Sequence, residues 1–456
     1  MTQSGKGPLT RRQFGRFALS LGAASTLSGW MRASAIQTPE PALAPRVLVG
    51  GANSLRAHAE ARGLLYGVAV DPALLDVEGM AAGETRDRYT LLVATQADIL
   101  VAENAMKWAG LRPTADKFDF SLADRMMLFA GQTGKRVRGH NLCWHEGLPP
   151  WFKDSATKDN ARQMLVAHIR TVAGRYRGQI HSWDVVNEAV EPADDRLDGL
   201  RKSPWLELVG PDYIELAFNT AAEADPQAKL AYNEFGIELD TPEQTEKRTQ
   251  VLLLLRRLKA RGVRIDAVGV QSHLQADGPQ PGAGLVKFIE EVAKLGLEVF
   301  ITEMDVNTRN VAGGPDQQDA AVALVYTNYL GLVLAQPTVR VLLTWGFTNA
   351  HSWLNNGMDP SNQRRDGSPQ RPLPFDDKLK PTPVFLALRA ALDKAQPAPS
   401  PAAARTEVPP SAAPSPAAPP TPTPNTPPPA APVRLYEPFS VKGSPPAQPS
   451  SSGPSQ

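Results

Sequence analysis

Eight apolar runs rich in β-branched residues recur along this chain, at residues 64–70, 99–104, 136–142, 180–188, 229–236, 267–273, 299–306 and 341–347. Their starts fall about 30–50 residues apart, room for a strand, a helix and two loops each. The segments between them carry helical periodicity. The clearest is 241–261, where Thr241 and Gln244 can form a capping box and Pro242 suits the first helical position. Val251, Leu254, Leu255 and Leu258 then share one face, and Gly262 can end the helix. Eight strands alternating with helices predict an α/β fold of (β/α)8 TIM-barrel type rather than an open doubly wound sheet. No glycine-rich phosphate fingerprint follows the first run, which argues against dinucleotide binding.

The barrel predicted this way occupies residues 54–394 as a single domain. Ahead of it, residues 1–35 hold Arg11-Arg12-Gln13-Phe14, a weakly apolar stretch and Ala33-Ser34-Ala35. A basic segment, a short apolar run and an A-x-A site read as a signal peptide, and the paired arginines as one of twin-arginine type. That reading expects a periplasmic or secreted protein, with no membrane span once the signal is removed. Residues 36–53 read as a loose lead-in. Residues 395–456 are Pro/Ala/Ser-rich, with twenty of the chain's 43 prolines in 397–456, so they are expected to stay disordered. The net charge of +1 gives no reason to expect nucleic acid or an anionic membrane as partner, and the single cysteine, Cys143, excludes an intramolecular disulfide framework.

In such barrels chemistry lies at the C-terminal ends of the strands. The second run ends in Glu103-Asn104, with Lys107 just beyond; the third in His140-Asn141, followed by Trp144 and His145; the fourth in Asn187-Glu188. The fifth ends in Asn233-Glu234-Phe235, the sixth in Gln271-Ser272-His273, the seventh carries Glu303 and Asp305, and the eighth leads to Trp345 and Trp353. Indole rings among carboxylates, amides and imidazoles suit a sugar, whose flat face stacks while its hydroxyls take hydrogen bonds. Trp183 and Trp205 read equally well as core. Two strand-end glutamates, Glu188 and Glu303, are what acid–base chemistry on a glycosidic bond requires.

The motifs AENAMKW (102–108), RGHNLCWHEGLPPWF (138–152), WDVVNEA (183–189), VGVQSHL (268–274), ITEMDV (301–306), LTWGFTNAHSW (343–353) and PLPFDDKLKPTPVF (372–385), in this order, resemble the family 10 glycoside hydrolases, best known as endo-β-1,4-xylanases. The resemblance implies retaining hydrolysis of xylan or xylooligosaccharides, with Glu188 as acid/base and Glu303 as nucleophile. It implies supporting roles for Asn187 (a contact to the sugar 2-hydroxyl), His273 and Asp305. It implies substrate binding by Glu103, Asn104, Lys107, His140, Trp144, Asn233, Phe235, Gln271, Trp345 and Trp353. No cofactor and no metal are implied, and a monomer is expected.

The chain departs from the family pattern at three places. His145-Glu146 stands where His-x-Gln is usual, Asn233-Glu234-Phe235-Gly236 where Asn-Asp-Tyr-Asn is usual, and Asn349, His351 and Leu354 where Asp, Tyr and Arg are commoner. These changes are expected around the leaving-group side or its supports and predict altered acceptor-side binding with unaltered retaining chemistry. Three alternatives stay open at this stage. One is a β-glycanase acting on another β-1,4-glycan. The second is a metal-dependent barrel hydrolase using His140, His145, Glu188 and His273. The third, a non-catalytic sugar-binding barrel, would be expected to lose one of the two glutamates.

Overall fold

The computed structural model describes residues 47–356 and 360–397. The proposed signal peptide (1–35) and nearly all of the Pro-rich tail lie outside the described residues, as does most of the lead-in. Where the lead-in is described it is not loose: Val47 and Val49 pack on the core, and the Val49 carbonyl accepts a hydrogen bond from the Gln96 side chain. Ser54 then caps the helix Leu55–Glu60 by accepting from the Ala57 N–H.

Among the described residues nine strands follow: β1 (Leu65–Val70), β2 (Ile99–Ala102), β3 (Arg136–His140), β4 (Ser182–Asn187), β5 (Lys229–Glu234), β6 (Ala267–Val270), β7 (His273–Gln275), β8 (Glu298–Asn307) and β9 (Val339–Thr344). Pairing is parallel throughout, and β6 pairs with β8 as β1 pairs with β9. The sheet therefore closes into the eight-stranded barrel expected, built from β1–β6, β8 and β9. Inside it, Ala69, Ile99, Val101, Ala231, Ala267, Phe300, Val341 and Leu343 form a packed plug, roofed by Trp345. The larger apolar cluster lies between the strands and the surrounding helices.

The helix anticipated at 241–261 is Pro242–Ala260, with Thr241 accepting from the Gln244 N–H and Val251, Leu254, Leu255 and Leu258 buried. The capping box is only half made: the Gln244 side chain accepts from Leu239 N–H instead of reaching back to Thr241. The sixth run differs from expectation more. It is broken at Ser272, whose φ of +69° stops β6 and turns the chain into the short β7. β7 pairs with the far end of the ten-residue β8, setting His273 opposite Asp305.

One glycine is demanded by close approach. A Cβ on Gly139 of β3 would lie 2.1 Å from the ring of Trp183 on β4, a side chain with no exposed surface.

Candidate active site

Glu188 is the first residue beyond β4, and its φ of +58° is left-handed, a region that favours glycine. The carboxyl is almost wholly buried and is held from three sides. Trp144 Nε1 donates to Oε2 at 2.8 Å; Gln271 Nε2 and Asn187 Nδ2 donate to Oε1 at 2.7 and 2.9 Å. Burial pushes its pKa up to about 7, helped by the charges of Glu234 and Glu303 and opposed by the Gln271 and Trp144 hydrogen bonds.

Glu303 lies in the middle of β8 and points into the mouth. Burial alone would raise its pKa. The hydrogen bond from His273 and the positive charges of His140, His273 and Arg138 outweigh it and hold the group at about 2. Asn233 Nδ2 donates to Oε1 at 2.7 Å, and His273 Nε2 stands 3.3 Å from Oε2. His273 in turn meets Asp305 Oδ1 through Nδ1 at 2.9 Å, and Trp353 Nε1 donates to Asp305 Oδ2 at 2.6 Å. Burial would lower the imidazole pKa, but these two carboxylates raise it well above its ordinary value, so the imidazolium sits against Glu303.

The two glutamates are joined through amides. Asn187 Nδ2 reaches Glu188, Asn187 Oδ1 accepts from Asn233 Nδ2 at 2.7 Å, and Asn233 Nδ2 also reaches Glu303. One carboxyl thus favours its acid form and the other its anion, in a single hydrogen-bonded assembly. That is the split that carboxylate-pair hydrolysis of an acetal requires.

Around this pair the mouth divides. On the β2 and β9 side, Lys107 Nζ donates to Asn104 Oδ1 at 3.0 Å and stands 5.2 and 5.7 Å from the rings of Trp144 and Trp345. Glu103 faces the same region; burial and the nearby Asp71 charge push its pKa up to about 7, with Lys107 opposing. Trp345 packs edge-on against His140 and His273, and Trp353 against His273. On the β4 and β5 side stand Phe235, 36% exposed, Arg201 and His145. His145 Nδ1 lies 3.9 Å from Glu188 Oε2, and burial with the Arg201 and Lys247 charges pushes its pKa down to about 4.

Two expectations need correction. Asn233 is fully buried with its amide committed to Glu303, Asn187 and Thr302, so it has no surface to offer a substrate. The substitutions after β9 are not on the leaving-group side. Asn349 and Leu354 are buried within their own loop, where Asn349 Oδ1 accepts from Leu373 N–H. His351 packs edge-on against Tyr89, which feels the charges of Glu103 and Asp71 on the β1–β2 side. Among the described residues no cluster of His, Cys, Asp and Glu could hold a metal ion, so the four ligands considered from sequence are not assembled as one.

The sequence reading missed a layer beneath the pair. Arg138 and Asp184, both fully buried, form an ion pair inside the barrel. Asp184 also meets His140 Nδ1 at 2.8 Å, and Arg138 reaches Asn233 Oδ1 at 3.4 Å. A charge in mid-strand, flanked by apolar neighbours, was the available signal.

A closed (β/α)8 barrel with two carboxyl groups of opposite ionisation among tryptophans at its C-terminal mouth defines a glycoside hydrolase of the carboxylate-pair class. Comparison with known proteins narrows the class. The chain belongs to glycosyl hydrolase family 10, whose model matches residues 54–391. It is 33% identical over 323 residues to endo-1,4-beta-xylanase B of Thermotoga neapolitana, covering 69% of this chain and 88% of that one. It is 35% identical over 339 residues to endo-1,4-beta-xylanase A of Thermoanaerobacterium saccharolyticum; that is 71% of this chain but 26% of the longer relative. The crystal structure of xylanase 10B from Thermotoga petrophila RKU-1 in complex with xylobiose superposes with a TM-score of 0.65 at 32% identity, covering 75% of this chain and 97% of that one. Among the described residues no helix is long and apolar enough to cross a membrane.

Proposed function

We propose that the chain is a retaining endo-1,4-β-xylanase. Glu303 attacks the anomeric carbon of the xylosyl unit while Glu188 gives its proton to the departing glycosidic oxygen, and the C–O bond breaks. The ionised Glu188 then takes a proton from water, which attacks the same carbon and releases Glu303. His273, held by Asp305, keeps the nucleophile ionised. Asn187 meets the sugar 2-hydroxyl, and Gln271 and Trp144 orient the acid. Glu103, Asn104, Lys107, His140, Trp345 and Trp353 bind the donor side, and Phe235 the acceptor side. Asn233 is a support behind the nucleophile.

The observation that carries this reading is the hydrogen-bonded assembly in which Asn187 and Asn233 join the buried Glu188 to a Glu303 held against His273. The sugar identity rests on family membership and on relatives named for xylan or solved with xylobiose. Hydrolysis of xylan beside cellulose and mannan tests it, with Glu188→Ala and Glu303→Ala as controls. Faster cleavage of another glycan moves the substrate, and full activity in either variant removes the assignment.

The export reading is part of the proposal: residues 1–35 direct a twin-arginine route to the periplasm or medium, and the enzyme works there as a monomer. Processing of the precursor that persists when Arg11 and Arg12 are both changed to Lys would count against the route. Sedimentation of the purified protein reads the oligomeric state.

A further inference from the structure

One cation touches both Glu234, the last residue of β5, and Phe235 just beyond it. Lys247, on the helix Pro242–Ala260, is only 5% exposed, and its Nζ lies 3.0 Å from Glu234 Oε1 and 3.8 Å from the centre of the Phe235 ring. Glu234 is fully buried. Its other oxygen accepts from the Tyr232 hydroxyl and, at 3.2 Å, from the N–H of Val190, two residues beyond Glu188. Arg201 closes the assembly: its guanidinium carbon is 5.5 Å from the Phe235 ring centre, and its Nε donates to the Glu188 carbonyl at 2.8 Å. The segment that carries Glu188 and the ring of Phe235 are therefore anchored to one buried ion pair.

Such a pair is a poor way to gain stability, because desolvating both charges offsets most of their attraction, and an apolar pair of the same volume does as well. What it supplies is geometry. A desolvated ammonium against a ring face attracts it electrostatically and fixes that face. Glu103, Lys107 and Trp345 stand on the β2 and β9 side of the pair. Phe235 stands on the β4 and β5 side, tied through Arg201 to the Glu188 carbonyl, the side that the proposed function gives to the departing sugar.

We propose that Lys247 is a positioning residue for the reaction: through Glu234 and Phe235 it sets the acceptor platform in register with the proton donor Glu188. This rests on the reading of Glu188 as acid/base given above. It explains how a ring without a phenol hydroxyl can be held: the cation beneath it does the anchoring.

The test compares kcat/KM on xylohexaose and on 2,4-dinitrophenyl β-xylobioside, whose leaving group needs neither a proton nor a sugar platform. Lys247→Met keeps the apolar stem and removes the charge. Its loss on xylohexaose is expected to exceed its loss on the aryl substrate by about ten-fold. Lys247→Arg, which retains the cation, recovers most of that difference. Phe235→Leu shows the same selective loss, and the Lys247→Met/Phe235→Leu double variant is no worse than Lys247→Met, because the two act as one unit. Equal losses on both substrates, or additive losses in the double variant, overturn the proposal. Should Lys247→Met fail to fold, a Phe235→Leu variant with no selective loss overturns it alone. A wild-type protein that cleaves neither substrate defeats the xylanase reading instead, which is a different result.

Discussion

The indole Nε1 of Trp144 donates to Glu188 Oε2 at 2.8 Å, so this ring at the barrel mouth bears on the proton affinity of the carboxyl. That bond favours the ionised carboxylate and opposes burial. Trp144→Phe keeps a ring and removes the donor. The pKa of Glu188 then rises above about 7, and the alkaline limb of kcat/KM moves up by on the order of one pH unit. A limb that stays or moves down would show that the indole does not act on the acid.

Asp305→Asn works on the other limb. The variant leaves His273 without one of its two anionic partners, so the imidazole loses part of the raised affinity that keeps it charged beside Glu303. Glu303 then rises from about 2 toward its ordinary value of 4.5, and the acid limb of kcat/KM moves up while the alkaline limb holds. The pH profile of the variant on xylooligosaccharides reads both limbs at once.

Glu188 also marks the stability curve. Its native pKa of about 7 exceeds the ordinary 4.5, so between these values the native state holds a proton that the unfolded chain has released. Stability contributed by this group is full below pH 4.5 and is lost as pH rises toward 7. Glu188→Gln does not titrate. Relative to wild type it should gain up to about 3 kcal/mol between acid and neutral pH. Urea unfolding at the two pH values measures this, and a constant difference between the proteins would refute it.

Gly139→Ala places a methyl against the buried Trp183 ring, which cannot retreat without losing its Nε1 hydrogen bond to Asp225 Oδ2 at 3.0 Å. The expected destabilisation is about 1–3 kcal/mol. A thermal melt of the variant level with wild type would show that the sheet relaxes to admit the methyl.

The barrel was legible because each strand is a short apolar run ending in polar residues, and that pattern survives without coordinates. Glu188 was legible for the same reason, since it sits directly where an apolar run stops; Glu303, in the middle of β8, and the tryptophans of the loops were legible only through the motifs around them. Arg138 and Asp184 were not, because a charge in mid-strand reads as solvent-facing until its partner, 46 residues away, is seen beside it. Glu234 read as a change in the acceptor site. Its carboxylate in fact turns away to Lys247, a helix residue with no motif around it. Asn349, His351 and Leu354 were misplaced because loop residues carry no period from which direction can be read. The break at Ser272 was hidden too, since nothing in Gln271-Ser272-His273 announces a left-handed serine.

The backbone at residue 188 has φ of +58°, where a side chain costs about 1–3 kcal/mol and glycine costs least. On the backbone conformation alone, selection for folding would favour glycine here, so under the proposed role the glutamate is kept for its carboxyl, which accepts three hydrogen bonds. In a drifting gene copy freed from its substrate, position 188 should be among the first of the site to change. Under the proposed role of Glu188, a relative with glycine there would be recognisable as one that had given up catalysis.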